Sequence, residues 1–308
     1  MRAAMARVAF FGVGLMGEPM AGHLLAAGHG VVVLAHRSRA GVERLVGKGA
    51  VEASTALEAV ERTELAIMML PTADEVEDVL FGAGGAARAM APGYTVIDMG
   101  TSFPPQTRRL AARVAERGGR FLDAPVTGGT KGARDGTLTI MVGGDAATLE
   151  SVRPLLAAMG SQIYHFGGVG AGHTAKLVQN MIGIVSAAAI AEGFALAASA
   201  GLDCERLFQM LSASTSASPL LRAMVPKVFA RAFDQVNFRL DMAYKDLRQA
   251  TQLGREMTVP LPAANGAAEL MQLARALGFG SQDSAAVVRG LETLLKIEIK
   301  GGSASQAG

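Results

Sequence analysis

The chain has one cysteine, Cys204, in 308 residues, so it can form neither an internal disulfide nor a thiolate metal cluster. Charge is also scarce: 18% of residues are charged, and 29 basic against 27 acidic side chains leave a formal net charge of +2. No excess field of either sign exists to draw nucleic acid or membrane phosphates. The five histidines, His23, His29, His36, His165 and His173, show no metal-ligand spacing with carboxylates or with Cys204. There is no Ser/His/Asp elbow and no G-x-x-x-x-G-K-[ST] phosphate loop. The expectation is a soluble, cytoplasmic globular protein with no metal, no nucleic-acid partner and no membrane partner.

Apolar residues and glycine are plentiful, with 50% hydrophobic residues and 38 glycines. At roughly 100–200 residues per domain, the length predicts two domains. The N-terminus looks superficially like a signal peptide, but Glu18, Pro19 and three regularly spaced glycines argue against one. The stretch Ile182 to Ala200 approaches the ~20 residues of a membrane span. It is alanine-rich and carries Ser186, Glu192 and Ser199, which predicts a buried helix instead.

Short apolar runs recur at Arg7–Phe11, Val31–Ala35, Leu65–Leu70, Thr95–Asp98, Leu138–Val142 and Gln162–His165. Helical spacing lies between the early ones, at Leu15–Ala27, Ala73–Leu80 and Pro105–Arg117. Alternation of this kind reads as βαβ units and a parallel sheet, and nearly all-apolar strands predict helices on both faces. After Gly170 the pattern becomes helical: Ala171–Ala200, Cys204–Ser212, Leu221–Ala232, Asp241–Glu256, Ala263–Leu277 and Ser284–Lys296. The fold class is therefore α/β, a Rossmann-type doubly wound, mostly parallel sheet followed by an all-helical C-terminal domain. Boundaries are expected at 1–168, 169–300 and a disordered tail at 301–308. The long helix, apolar nearly all round, predicts burial between domains or subunits, hence a homodimer or homotetramer.

The strongest local motif is Gly12-Val13-Gly14-Leu15-Met16-Gly17, placed between an apolar strand and a helix. Its glycines suit a tight turn, close approach of a pyrophosphate and close helix–strand packing, with free N–H groups facing the phosphates. Nineteen positions beyond Gly17 stands His36, followed by Arg37-Ser38-Arg39, with no carboxylate nearby to accept from a ribose 2′-OH. A guanidinium there suits a 2′-phosphate, so NADP(H) is expected to be preferred, with NAD(H) possible. Lys176 and Asn180 are i and i+4 and share one face of a helix. Hydride transfer at a carbonyl needs a group that gives or takes the oxygen's proton and a donor that holds the oxygen, and burial can bring a lysine towards that task.

These residues, with Asp123-Ala124-Pro125-Val126-Thr127-Gly128-Gly129, Gly170 to Asn180 and Lys245-Asp246-Leu247, give the chain a pattern that resembles the β-hydroxyacid dehydrogenase family. That family includes 3-hydroxyisobutyrate dehydrogenase and tartronate semialdehyde (2-hydroxy-3-oxopropionate) reductase. The resemblance runs from about Val8 to about Asp283 and implies Lys176 as the catalytic lysine and Asn180 as the substrate-orienting amide. It implies Thr127, Gly128 and Gly129 as carboxylate holders, with threonine where the family has serine. It places Leu70, Pro71 and Thr101 beside the cofactor and brings Lys245 to cofactor and substrate; Ser102 is expected on the substrate side. Gln179 departs from a common asparagine. The implied substrate is a small hydroxy acid or semialdehyde, with Gly136 to Gly144 leaning towards tartronate semialdehyde. An imine reductase is disfavoured by Lys176, and a catalytically silent cofactor-binding or scaffold protein by the intact Lys176 and Asn180.

Overall fold

The computed structural model describes residues 5–36 and 39–301. The chain divides into two units, Met1–Lys176 and Leu177–Gly308. The first contains β1 (Arg7–Phe11), α1 (Gly17–Ala26), β2 (Gly30–Leu34), α2 (Ala40–Val46), β3 (Val51–Ala53), α3 (Ala56–Glu61), β4 (Leu65–Met68) and α4 (Ala73–Phe81). It continues through β5 (Thr95–Asp98), α5 (Pro104–Ala115), β6 (Arg120–Asp123), β7 (Val126–Thr127), α6 (Gly129–Asp135), β8 (Leu138–Gly143), α7 (Ala146–Ala157) and β9 (Gly160–Gly167).

The strands form one sheet in the order β3-β2-β1-β4-β5-β6-β8-β7, with β9 on β8. Pairing is parallel from β3 to β6, antiparallel where β8 meets β6 and β7, and parallel again between β8 and β9. In β1, Val8 and Phe10 enter one core with Met20, Leu24, Ile67 and Ile97, while Ala9 and Phe11 enter another with Ala66, Met68 and Val96. Successive strand side chains point to opposite faces, so an unbroken apolar run feeds two cores at once. The expectation of all-apolar strands fails at β9, most of which is exposed, with Tyr164 and Phe166 about half accessible. β9 lies at the sheet edge and, among the described residues, pairs with β8 alone.

The second unit is helical. α8 (Ala171–Ser199) begins in the first unit, and α9 (Cys204–Ser212), α10 (Pro219–Phe229), α11 (Leu240–Glu256), α12 (Pro262–Ala276) and α13 (Val287–Leu295) follow. Their starts are written in the sequence. Asp203 accepts from the N–H groups of Glu205 and Arg206 at 2.9 and 3.1 Å, and Ser218 accepts from Leu221 at 3.0 Å, just ahead of Pro219. Ile184, Ala188, Ala191, Phe194 and Ala195 of α8 pack into a core with Leu221, Val225, Leu247 and Met271. α8 is long and apolar enough by composition to cross a membrane, with a mean hydropathy of 1.9, and 39% of its most apolar window is buried.

Candidate active site

Three loops meet at the C-terminal edge of β1, β4 and β5, beside the place where the strand order turns back from β1 to β4. Ligands of open α/β sheets bind at such switch points. Gly12 has φ of +95°, and a Cβ on it would lie 2.2 Å from the Met69 carbonyl oxygen. A Cβ on Gly17 would lie 1.9 Å from the Gly12 carbonyl oxygen, so α1 starts hard against the turn. Gly14 has nothing within 4 Å, an open cradle that a pyrophosphate would occupy and a side chain would fill. The first residue of the α1 cap, Met16, brings no side-chain acceptor to the helix N-terminus. The Glu18 N–H closes back onto the Gly14 carbonyl oxygen at 3.0 Å, and the positive end of α1 adjoins the cradle, an arrangement that fits a dinucleotide phosphate.

Glu18 in the first turn of α1 would repel that phosphate were it unpaired. Both its oxygens lie 2.6 Å from the Arg44 guanidinium, and this hydrogen-bonded partner holds the carboxyl below its ordinary range against the opposing effect of burial. Val13, Leu15 and Met16 line the loop, with Leu15 largely exposed. Leu70 and Pro71 follow β4, and a Cβ on Gly100 would lie 2.2 Å from the Leu70 carbonyl oxygen, which sets Thr101 next to that turn. His36 is exposed just after β2, whereas Arg37 and Ser38 lie outside the described residues. Arg39 is engaged elsewhere, 3.0 Å from Glu52 on β3 and 3.6 Å from Glu43.

Thr127 ends β7, paired with Thr139 of β8, and Gly128 and Gly129 open α6 with φ of +125° and +61°. Both dihedrals favour glycine, and Gly129 has open space where a Cβ would be. A hydroxyl and two N–H groups at an exposed turn can hold a carboxylate. The α6 segment is tied to the cofactor helix through His23, whose Nε2–H donates to the carbonyls of Ala133 and Arg134 at 3.1 and 3.0 Å. The Gly136–Gly144 stretch supplies the mostly buried strand β8. Ser102, expected on the substrate side, is instead fully buried, and its hydroxyl donates to Asp98 at 2.8 Å.

Lys176 and Asn180 stand one turn apart on α8, 9% and 8% exposed. Asn180 Nδ2 donates to Asp246 Oδ2 at 2.6 Å, and Asp246 is 2% exposed. Lys245 Nζ lies 3.0 Å from Asp246 Oδ1, an ion-pair contact whose geometry is not that of a hydrogen bond. One buried carboxylate thus gathers the Asn180 amide and the Lys245 ammonium. Gln179 is exposed.

A family model described as the NAD binding domain of 6-phosphogluconate dehydrogenase matches residues 7–168, and one described as the NAD-binding of NADP-dependent 3-hydroxyisobutyrate dehydrogenase matches residues 170–291. The 2-hydroxy-3-oxopropionate reductase of Escherichia coli (strain K12) is 37% identical over 94% of this chain and 98% of its own length. The chain belongs to the β-hydroxyacid dehydrogenase family. A second relative, the 2-(hydroxymethyl)glutarate dehydrogenase of Eubacterium barkeri, is 35% identical over 96% of this chain and 98% of its own. Among solved structures, the 3-hydroxyisobutyrate dehydrogenase of Mycobacterium tuberculosis with L-serine superposes with a TM-score of 0.84 at 32% identity, covering 94% of this chain and 99% of that one.

In this member of the β-hydroxyacid dehydrogenase family, three aspartates matter beyond the residues singled out by the sequence. Asp246 was visible as part of Lys245-Asp246-Leu247, and its place among Ala243, Leu247 and Ala250 puts a carboxylate on the buried stripe of α11. An acid on an apolar stripe must have a partner, and that was the signal. Asp123 and Asp98 end neighbouring strands and are wholly buried. Asp123 accepts from the N–H groups of Gly170 and His173 at 2.7 and 2.8 Å and so caps α8. Burial pushes the Asp98 carboxyl above its ordinary range, with the nearby His173 and the hydrogen bonds from Ser102 and Gly100 pulling the other way.

Proposed function

We propose that the protein interconverts a small β-hydroxy acid and its semialdehyde, with Lys176 as general acid/base and NADP(H) preferred over NAD(H). The observation that carries this reading is the buried Lys176/Asn180 pair on α8, with the Asn180 amide held by Asp246 at 2.6 Å. A dinucleotide held by its pyrophosphate at the Gly12–Gly17 cradle would supply or take the hydride through its nicotinamide. Lys176 gives a proton to the substrate oxygen in reduction and takes it back in oxidation. Asn180 donates to that same oxygen and fixes its direction, since Asp246 anchors one end of the amide. Thr127 and the backbone of Gly128 and Gly129 hold the substrate carboxylate. NADP(H) preference rests on Arg37 in the sequence, because Arg39 is already neutralised by Glu52 and Glu43.

The test is Lys176→Ala assayed with tartronate, methylmalonate and succinic semialdehydes and glyoxylate, with NADPH and NADH. Removal of a positioned acid/base is expected to lower kcat by about 10²–10⁴-fold. NADPH binding, followed by fluorescence, is expected to persist. Retained turnover in Lys176→Ala would overturn the assignment.

A further inference from the structure

Beside the proposed site, the first unit buries a polar cluster that the reaction does not itself use. Asp98, Ser102, Thr107, Asp123 and His173 are all 0% exposed. They come from the ends of β5 and β6, from α5 and from the first turn of α8. Asp98 Oδ1 accepts from the Gly100 N–H at 2.9 Å and Oδ2 from the Ser102 hydroxyl at 2.8 Å, so Asp98 shapes the loop that carries Thr101. The same Oδ2 lies 3.7 Å from His173 Nε2, a nitrogen with no hydrogen-bond partner. The other ring nitrogen, Nδ1, is 2.8 Å from the Thr107 hydroxyl, which fixes the ring plane, and it sits 3.9 Å from Asp123.

The start of α8 has little freedom of its own. Asp123 holds its first N–H groups. A Cβ on Gly172 would lie 2.4 Å from the Met141 carbonyl oxygen and 2.6 Å from that of Asp123, so the turn is seated directly on the β6 and β8 backbones. Any shift of His173 is therefore a shift of the turn that carries Lys176 three residues later. Two carboxylates and an imidazole sealed from water are a poor source of stability compared with apolar side chains of the same volume. What such a group does provide is a fixed relation between the elements that supply its members.

We propose that Asp98 and His173 are positioning residues that couple the Thr101 loop to the first turn of α8, so that cofactor on the loop and the seating of Lys176 favour one another. The coupling runs from Thr101 through the Gly100 and Ser102 bonds to Asp98, across to the unpartnered His173 nitrogen, and along one helical turn. By linkage it acts equally in both directions. It rests on the reading of Thr101 as a cofactor contact, which the family resemblance implies, but not on the acid/base role of Lys176.

The experiment is amide hydrogen exchange of the peptide spanning 168–178, with and without saturating NADPH, in wild type, Asp98→Asn and His173→Gln. Asn keeps the shape of Asp98 but can no longer accept from both Gly100 and Ser102; Gln removes the ring that bridges Thr107 and Asp98. In the wild type, NADPH is expected to slow exchange in this peptide. In any variant that retains the wild-type circular dichroism, that cofactor-dependent slowing is expected to disappear. NADPH affinity is expected to fall about ten-fold, within the usual span of coupling between sites, while the KM for the aldehyde changes less than about two-fold. A purely structural role would change exchange equally with and without NADPH. Slowing by NADPH that survives in the folded variants, or that is absent from the wild type, would overturn the proposal. Should the exchange result hold while Lys176→Ala keeps its turnover, the acid/base assignment fails and the coupling stands.

Discussion

At the scale of single residues, the charged groups that matter are few, and each is held or left open for a physical reason. Asp246 is buried and bonded to Asn180 at 2.6 Å, so its loss leaves an amide free to rotate and a neighbouring ammonium without its counter-charge. Asp246→Asn keeps the volume but sets one amide against another. Breaking a hydrogen bond to a buried charged group costs about 1.5–3 kcal/mol, so kcat is expected to fall by roughly 10–100-fold in steady-state assays. Stability measured by urea unfolding is expected to change by less than the equivalent loss of rate. Arg37 gives a second test. Loss of a bidentate guanidinium–phosphate contact is expected to lower the NADPH/NADH ratio of kcat/KM in Arg37→Glu by at least about ten-fold. An unchanged ratio would remove the NADP(H) preference. His173 illustrates the limit of reading one residue from its neighbours in sequence. Its place one turn before Lys176 was legible, but its contact with Asp98, at the end of β5 and far away in the sequence, was not.

At the scale of elements, the long apolar runs were legible and the short or mixed ones were not. β1 and β5 coincide with their apolar runs, and α9 with its helical spacing, because burial on two faces or one stripe leaves a strong periodic signal. β3 has three residues, β7 two and α3 six, too few for periodicity to register. α7 was hidden by Pro154 inside it, and α6 by the glycines at its start. Packing between these elements creates groups with unusual chemistry, of which Tyr94 is one. It precedes β5, is 3% exposed, and its hydroxyl donates to Thr63 Oγ1 at 2.8 Å, while Thr63 in turn donates to the Ala59 carbonyl. Burial raises the phenol well above its ordinary range, and the hydrogen bond with Thr63 only partly offsets that. A raised folded-state value means that the contribution to stability is complete below the unfolded value of about 10 and is lost as pH rises towards the folded value. The reversible absorbance titration at 295 nm is therefore expected to be the same in wild type and Tyr94→Phe up to about pH 11. A smaller amplitude in the variant over that range would contradict the burial argument.

At the scale of the whole molecule, the division into a cofactor-binding unit and a helical unit follows where strand-like runs stop in the sequence and family models change over, near residue 170. The second unit exposes apolar side chains that water disfavours. Val178 and Ile182 of α8 are 47% and 59% accessible, beside an apolar groove of about 320 Å³ lined by Met181, Val185 and Pro260 to Pro262. An apolar face of this kind is expected to be covered by a second copy of the chain. Wild type should run as a dimer or tetramer in light scattering after size exclusion. Ile182→Asp should shift the mass towards the monomer at micromolar concentration, and a wild-type monomer would refute the expectation.

The sequence by itself determined the glycine turn, the strand–helix alternation, the helical second half and the Lys176/Asn180 spacing. Each of these is local: a turn needs particular dihedrals, a buried strand needs apolar residues, and a helix brings i and i+4 together. The tertiary structure decided which polar groups are buried against which. It showed that Asp246 holds Asn180, that Asp123 caps α8, that Arg39 is occupied by Glu52 and that Ser102 turns inward to Asp98. Asp246 and Asn180 are 66 positions apart and Asp123 and Gly170 are 47 apart, and the energy of a buried charge depends on which partner meets it there, a quantity that no local pattern in the chain encodes.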